Sequence, residues 1–220
     1  KMCVLPDWLP YEKIDKNKKH QGIGAEYIQL LAHKIGTKIV LLPTEKWAES
    51  LQNLRNRKCD ILPTAMDIPS RRNSMDFTSP YIVKPLVLTT TEDKPFIGYA
   101  REIGYKKVGI VKNYAFIEVL KTLYPKIQII EVENSVDGLT RVQEGKLYGY
   151  IDALSTISYI IQKESMIGLK IAGKLDIDLK LSIASRNDEP LLGSIMQKGI
   201  NSISDMEKNL IINRWITINV

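Results

Sequence analysis

Ala25-Glu26-Tyr27-Ile28-Gln29-Leu30-Leu31-Ala32-His33-Lys34-Ile35-Gly36-Thr37-Lys38-Ile39-Val40-Leu41-Leu42 changes its hydrophobic period partway along. From Ala25 to Ile35 the apolar residues Tyr27, Ile28, Leu31 and Ile35 recur at helical spacing and share one face. Gly36 stands where a helix C-terminus needs a residue that enters the left-handed region without a Cβ penalty. Lys38 to Leu42 then has the pattern of a strand, stopped by Pro43. His33 falls between the apolar positions, so it is expected on the exposed face of the helix. Working outward, Met2 to Leu5 precedes the helix as a strand. Ala48, Leu51 and Leu54 follow as a second amphipathic helix, and Asp60-Ile61-Leu62-Pro63 as a short third strand. The order is β-α-β-α-β.

The same order returns from Lys107. Lys107 to Val111 is a strand, and Ala115 to Tyr124 a helix with Phe116, Leu120 and Leu123 inward. Lys126 to Glu131 is a strand begun after Pro125. Val136, Leu139 and Val142 line a further helix closed by Gly145, and Leu147 to Ile151 is the strand after it. Alternating strands and helices predict an α/β fold with mainly parallel sheets covered by helices on both faces. Two such units suggest two lobes, joined by the extended stretch Lys84 to Thr90, with Leu179 to Ala184 returning the chain to the first. Asp188-Glu189-Pro190 opens a helix, and Ser204-Asp205-Met206-Glu207 is a capping box that opens another. Ligands favour the carboxyl ends of parallel strands and domain interfaces, so a crevice between the lobes is the expected site.

Composition agrees with a folded chain. Of 220 residues, 44% are hydrophobic and 25% charged, with 13 Gly and 10 Pro and no low-complexity run, which excludes intrinsic disorder and collagen-like architectures. The balance of 31 Lys+Arg against 25 Asp+Glu gives a net charge of +6. The densest basic run, Lys13 to His20, is broken by Asp15 and Asn17 and lies in a turn-like stretch, so a solvated loop is expected rather than a nucleic-acid patch. No window is long and apolar enough to span a bilayer, and no signal-peptide pattern opens the chain. Met2 to Leu5 at one end and Trp215-Ile216-Thr217-Ile218 at the other both look structured, which suggests a piece of a longer protein. Cys3 and Cys59 are the only cysteines; one bridge is conceivable, and two buried free thiols are the favoured expectation.

Signatures of catalysis are missing from the sequence: GxGxxG, GxxxxGK[ST], HExxH and GxSxG do not occur. His20 and His33, the only histidines, have no metal-ligand spacing to a Cys or carboxylate cluster. No metal, cofactor or catalytic residue is expected. A binding function has more behind it. Trp8-Leu9-Pro10-Tyr11, Gly22 to Tyr27, Cys59 to Pro63, Pro69-Ser70-Arg71, Asp76 to Tyr81, Lys107 to Val111 and Asn213 to Ile216 resemble, in collinear order, the successive motifs of the family 3 extracellular solute-binding proteins.

That resemblance implies a bilobed periplasmic binding protein of type II, the Venus flytrap fold, with a two-strand hinge. Lobe 1 would hold residues 1–88 and 184–220, lobe 2 residues 93–180, and the hinge residues 89–92 and 181–183. Tyr148 to Leu154, Ile157 to Lys163 and Arg186 to Pro190 are more similar to sensory members of the family than to transport members. Those members form extracytoplasmic input domains of membrane-bound histidine kinases and diguanylate cyclases. The implied partners are a small solute, an amino acid or organic acid, and a covalently linked transmembrane and output domain. A free receptor of an amino-acid ABC transporter is the alternative.

The resemblance also implies site residues. Arg71 sits where amino-acid-binding members clamp a ligand carboxylate; the other reading of Arg71 and Arg72 is a solvated pair at a short helix start. Ile68 replaces the threonine of that motif and removes a hydroxyl donor. Asp152 falls near the position of an aspartate that accepts from a ligand ammonium, one residue early, and a loop-capping aspartate is the alternative. Tyr114 and Ala115 stand at a helix start where family members place small residues whose N–H groups meet an anion. Trp8, Tyr11, Trp47 and Tyr81 fall in loops that line the family's site, with ordinary packing as the alternative, and Met66 completes the expected lining.

Overall fold

The computed structural model describes residues 1–216; Thr217 and Ile218, expected to be structured, lie outside the described residues. In chain order the elements are β1 (Asp7–Trp8), β2 (Glu12–Ile14), β3 (His20–Gln21), α1 (Ile23–Lys34), α2 (Trp47–Arg55), β4 (Ile61–Ala65), β5 (Met75–Phe77) and β6 (Ile82–Thr91). There follow β7 (Lys107–Val111), α3 (Phe116–Leu123), β8 (Gln128–Val132), α4 (Ser135–Gln143), β9 (Gly149–Ala153), α5 (Leu154–Lys163), β10 (Leu169–Arg186), α6 (Pro190–Asn201) and α7 (Asp205–Trp215). The chain divides into two compact units, one of Lys1–Ile82 with the residues from Lys180 onward, the other of Val83–Leu179. Both crossings fall inside strands, β6 and β10, earlier along each than the sequence-based hinge of 89–92 and 181–183.

In the first unit, Met2 bridges in parallel to both Leu41 and Ile61, and the C-terminal half of β10 pairs antiparallel with β4 on one side and β5 on the other. The strands expected at Met2–Leu5 and Lys38–Leu42 shrink to these bridges, carried by hydrogen bonds from Met2 N to Val40 O and from Leu42 N to Met2 O, both 2.8 Å. Pro6 and Pro43 end both runs before a longer ladder can form, because proline lacks the ladder donor. The buried face of α1 carries Ile23, Tyr27, Ile28 and Leu31 and packs against α6 and α7. Contact with α6 is close enough that a Cβ on Gly199 would lie 2.9 Å from Leu31 Cγ. Toward α7, Glu26 accepts from the Arg214 guanidinium and from Trp215 Nε1 (2.6 Å). The capping box at Ser204 and Glu207 forms as expected.

Cys3 and Cys59 are joined in a disulfide, not free, which corrects the sequence-based expectation. The cause is register. Met2 bridges Ile61 and Cys3 N donates to Ile61 O, which leaves the two Cα atoms 6.0 Å apart, inside the range a bridge requires.

In the second unit β8, β7 and β9 run parallel, and β6 joins β9 antiparallel with Leu86 opposite Ala153 and Val87 opposite Asp152. The sheet is therefore mixed, since the chain enters along β6 against the direction of the β-α-β strands. Leu86, Leu88, Ile103, Phe116 and Tyr150 are among its largest fully buried side chains. Each such apolar side chain contributes about 1.5–3 kcal/mol through removal from water.

Candidate functional site

In the first unit, Ile68 is extended and Pro69 starts a single 3-10 turn that ends at Arg71. Pro69 suits that place because its fixed φ is already helical and its missing N–H costs nothing there. The turn separates two neighbouring arginines. Arg72 is exposed and forks onto Asp67 at 2.8 and 2.9 Å. Arg71 is only 4% exposed; it donates from Nη1 to Met66 O at 3.0 Å, and its guanidinium carbon lies 5.5 Å from the Trp47 ring centroid. The solvated alternative therefore fits Arg72 and fails for Arg71. Trp47 opens α2 rather than lying in a loop, and is buried, as is Ile68; Met66 is half-buried.

Trp8 and Tyr11 are buried with ring centroids 4.6 Å apart. Tyr81 donates its hydroxyl to Pro63 O at 2.7 Å and meets the Tyr27 ring edge-on at 4.8 Å. Burial holds the Tyr81 hydroxyl well above the usual phenol range, with the Glu12 carboxylate and Tyr27 adding to the effect. Burial alone pushes Tyr27 up to about 12. Both phenols stay neutral over the physiological range.

The most buried charge in the first unit escaped the sequence reading. Glu12, with no exposed surface, accepts from Leu5 N at 3.0 Å and Thr64 Oγ1 at 2.6 Å, and pairs with His20 Nε2 at 3.0 Å. It sits so close to α1 that a Cβ on Gly24 would lie 2.9 Å from Glu12 Oε1. Three segments, at Leu5, His20 and Thr64, are thereby tied to one carboxylate, close against α1.

In the second unit, Asp152 lies inside β9 and is fully buried, so it does not cap a loop. Its Oδ2 accepts from Tyr150 Oη (2.7 Å) and Ser135 Oγ (3.2 Å), and its Oδ1 from Ala153 N (2.7 Å). Tyr150 and Asp152, two apart on a strand, face the same side, where α4 begins with Ser135. Burial and the Asp152 carboxylate hold the Tyr150 hydroxyl well above its ordinary range, so it remains a donor. Neither Ser135 nor Tyr150 was named as a partner of Asp152. Alternation on the strand points at Tyr150; nothing in the sequence points at Ser135. Tyr114 and Ala115 are buried ahead of α3, the Tyr114 ring 5.4 Å from Phe116, after Asn113 takes a left-handed φ of 64°.

The structure thus gathers Arg71, Trp47 and Met66 in one group, Trp8 with Tyr11 in a second, and Tyr81 with Tyr27 in a third, all in the first unit. Asp152, Tyr114 and Ala115 belong to the second unit. Among the described residues, no group of three or more His, Cys, Asp or Glu is arranged to hold a metal ion, and no helix is long and apolar enough to cross a membrane.

Comparison with known proteins agrees with this architecture. The virulence sensor protein BvgS of Bordetella pertussis (strain Tohama I) is 25% identical over 216 residues, which cover 98% of this chain and 17% of BvgS. The sensor protein EvgS of Escherichia coli (strain K12) is 24% identical over 219 residues, covering 98% of this chain and 18% of EvgS. The chain therefore spans about a sixth of the length of these relatives. The crystal structure of the BvgS periplasmic VFT2 domain from B. pertussis superposes with a TM-score of 0.88, at 24% identity, covering 98% of this chain and 92% of that one. An ancestral arginine-binding protein bound to arginine superposes with a TM-score of 0.84 at 17% identity, covering 98% of this chain and 96% of that one. The fold is that of the Venus flytrap binding domains. The family model for bacterial extracellular solute-binding proteins, family 3, matches residues 1–218, and the chain belongs to that family of extracytoplasmic, non-catalytic binding domains.

Proposed function

We propose that this chain is the periplasmic ligand-binding domain of a membrane-linked sensor, and that it recognises a small solute bearing a carboxylate. The observation that carries the reading is Arg71: a buried, planar guanidinium, fixed by a 3-10 turn and backed by Trp47. Such a group takes a carboxylate through two parallel charge-assisted hydrogen bonds, which distinguishes it from a neutral ligand and from a lysine point charge. The similarity to BvgS and EvgS, both named as sensor proteins, supports a signalling role, with the ligand shifting a balance between two arrangements of the domain. Moving such a balance from 1:99 to 99:1 needs about 5.5 kcal/mol of differential affinity, a demand met by charge-assisted contacts rather than by apolar ones alone. A kinase or a cyclase linked through the membrane is the output domain that completes this reading.

A second reading is a free transport receptor, supported by 25% identity over 111 residues to a probable histidine-binding protein of Campylobacter jejuni. The complete gene product separates the two: a transmembrane segment and kinase domain after this region mean sensing, and their absence means transport.

The binding reading is tested by calorimetry and thermal shift with a panel of amino acids, di- and monocarboxylates and neutral sugars. At least one acid is expected to raise the melting temperature, and Arg71→Lys to weaken it by tenfold or more while the variant stays folded. Unchanged affinity in Arg71→Lys removes the assigned role, and a panel in which neutral solutes bind and no acid does removes the carboxylate.

A further inference from the structure

The basic run that the sequence places in a turn does not simply point into water. β2 and β3 form a hairpin whose tip is built by Asp15, whose carboxylate accepts from Asn17 N and Lys19 N, both at 2.8 Å. Lys18 takes a left-handed φ of 58° there, a conformation that residues with a Cβ adopt at a cost. This turn sets Lys18, Lys19 and His20 along one wall of a groove of about 730 Å³ in the first unit. Thr37, Lys38 and Ile39 also line it, and α1 contributes Ala25, Ile28, Gln29, Ala32 and His33.

Its floor is apolar and short of side-chain volume. Ala25, Ile28, Ala32 and Leu41 line it, and Gly36 at the end of α1 has nothing within 4 Å of where a Cβ would stand. The lysines in the lining are of one sign: Lys18, Lys19 and Lys38 line the groove and no Asp or Glu does. Among the described residues none of those lysines enters an ion pair, whereas the nearby Lys34, the last residue of α1, is paired with Glu207 at 3.0 Å. Apolar floor, cationic rim and a volume in the range of small-molecule sites, about 300–1,000 Å³, together describe a receptor for a molecule apolar along its length and anionic at one end. Arg71 takes no part in lining it.

We infer that this groove binds a single-chain amphiphile with an acidic head, such as an alkyl carboxylate, its chain along α1 and its head among Lys18, Lys19 and Lys38. Electrostatics selects the head and area removed from water selects the tail, so both parts are needed.

The test is titration of the 15N-labelled chain with sodium decanoate below its micelle concentration, followed by NMR. Saturable shifts are expected along residues 25–41 and at Lys18 to His20. Acetate, which lacks the tail, and 1-decanol, which lacks the charge, are expected to bind at least tenfold more weakly. Lys18→Glu/Lys38→Glu is expected to weaken decanoate tenfold or more with no change in melting temperature. Ala32→Leu, which fills the floor and leaves the charges, is expected to have a similar effect. Decanoate binding unaffected by both variants overturns the inference, as do shifts confined to the surroundings of Arg71 or Asp152. It is equally overturned if an acidic hexapeptide saturates the groove while decanoate does not, since the occupant is then a polypeptide.

Discussion

Tyr150 donates its hydroxyl to Asp152 across two residues of one strand, and Gly138 of α4 lies against the Tyr150 ring, leaving no room for a Cβ. The buried carboxylate is thereby oriented from within the second unit. Tyr150→Phe removes one charge-assisted donor and is expected to lower unfolding free energy by about 1.5–3 kcal/mol in urea titrations. Gly138→Ala should reproduce part of that loss by displacing the ring while every polar group is kept. A Tyr150→Phe variant of native stability would show that Asp152 is satisfied without it.

Glu12 holds Leu5, Thr64 and His20 at once. Glu12→Gln turns one acceptor oxygen into a donor among donors, and a drop of about 2 kcal/mol in stability is expected from the lost charged hydrogen bonds. Thr64→Val, which removes one donor and leaves the carboxylate, should cost less. Equal stability of wild type and Glu12→Gln by calorimetry would refute the arrangement.

Acid sensitivity follows from Asp188. Arg186 donates to both of its oxygens at 2.9 and 2.6 Å, and these bonds, with the charges of Arg186 and Arg57, outweigh desolvation and hold its carboxyl down to about 2. A carboxyl depressed in the folded state stabilises above its unfolded pKa of about 3.9, and the contribution is lost as pH falls toward the folded value. The melting-temperature gap between wild type and Asp188→Asn should thus be constant from pH 7 to 5 and close toward pH 2. A gap that persists at the acid end would mean that the substitution acts through something other than the lost charge.

Reduction of the Cys3–Cys59 bridge opens a link between residues 56 apart in sequence. Loop-closure entropy for a separation of that size corresponds to about 4 kcal/mol. Cys3→Ala/Cys59→Ala is expected to lose stability of that order in denaturant titrations. Because both cysteines are fully buried, dithiothreitol should act slowly on the native chain and quickly once urea opens it. Fast reduction without denaturant would contradict that burial.

Helices were the legible part of the sequence. Tyr27, Ile28 and Leu31 commit α1 to one buried face, and Ser135 to Gln143 and Ser204 onward follow from equally periodic runs or caps. Edge strands were not legible, because Lys38 to Leu42 has the composition of a strand while only Leu41 and its neighbours find a partner in Met2. The 18-residue β10 was visible only over Leu179 to Ala184, as its earlier half alternates charges such as Lys174, Asp176 and Asp178 with apolar residues. Among the candidate site residues, Arg71 could be named from the order of motifs around it. Glu12 could not, because a lone glutamate in a polar turn carries no mark of the three donors that converge on it from elsewhere. The disulfide was hidden for the same reason: spacing along the chain says nothing of the 6.0 Å between the two Cα atoms.

The first unit is assembled from both ends of the chain, while the second is one uninterrupted stretch. During synthesis every residue of Val83–Leu179 is present before the first unit is complete, and α1 must wait for α6, α7 and the far half of β10 before its apolar face is covered. Until then the early segment is exposed to proteases and chaperones. Truncation before α6 should therefore ruin the half made first and spare the half made second.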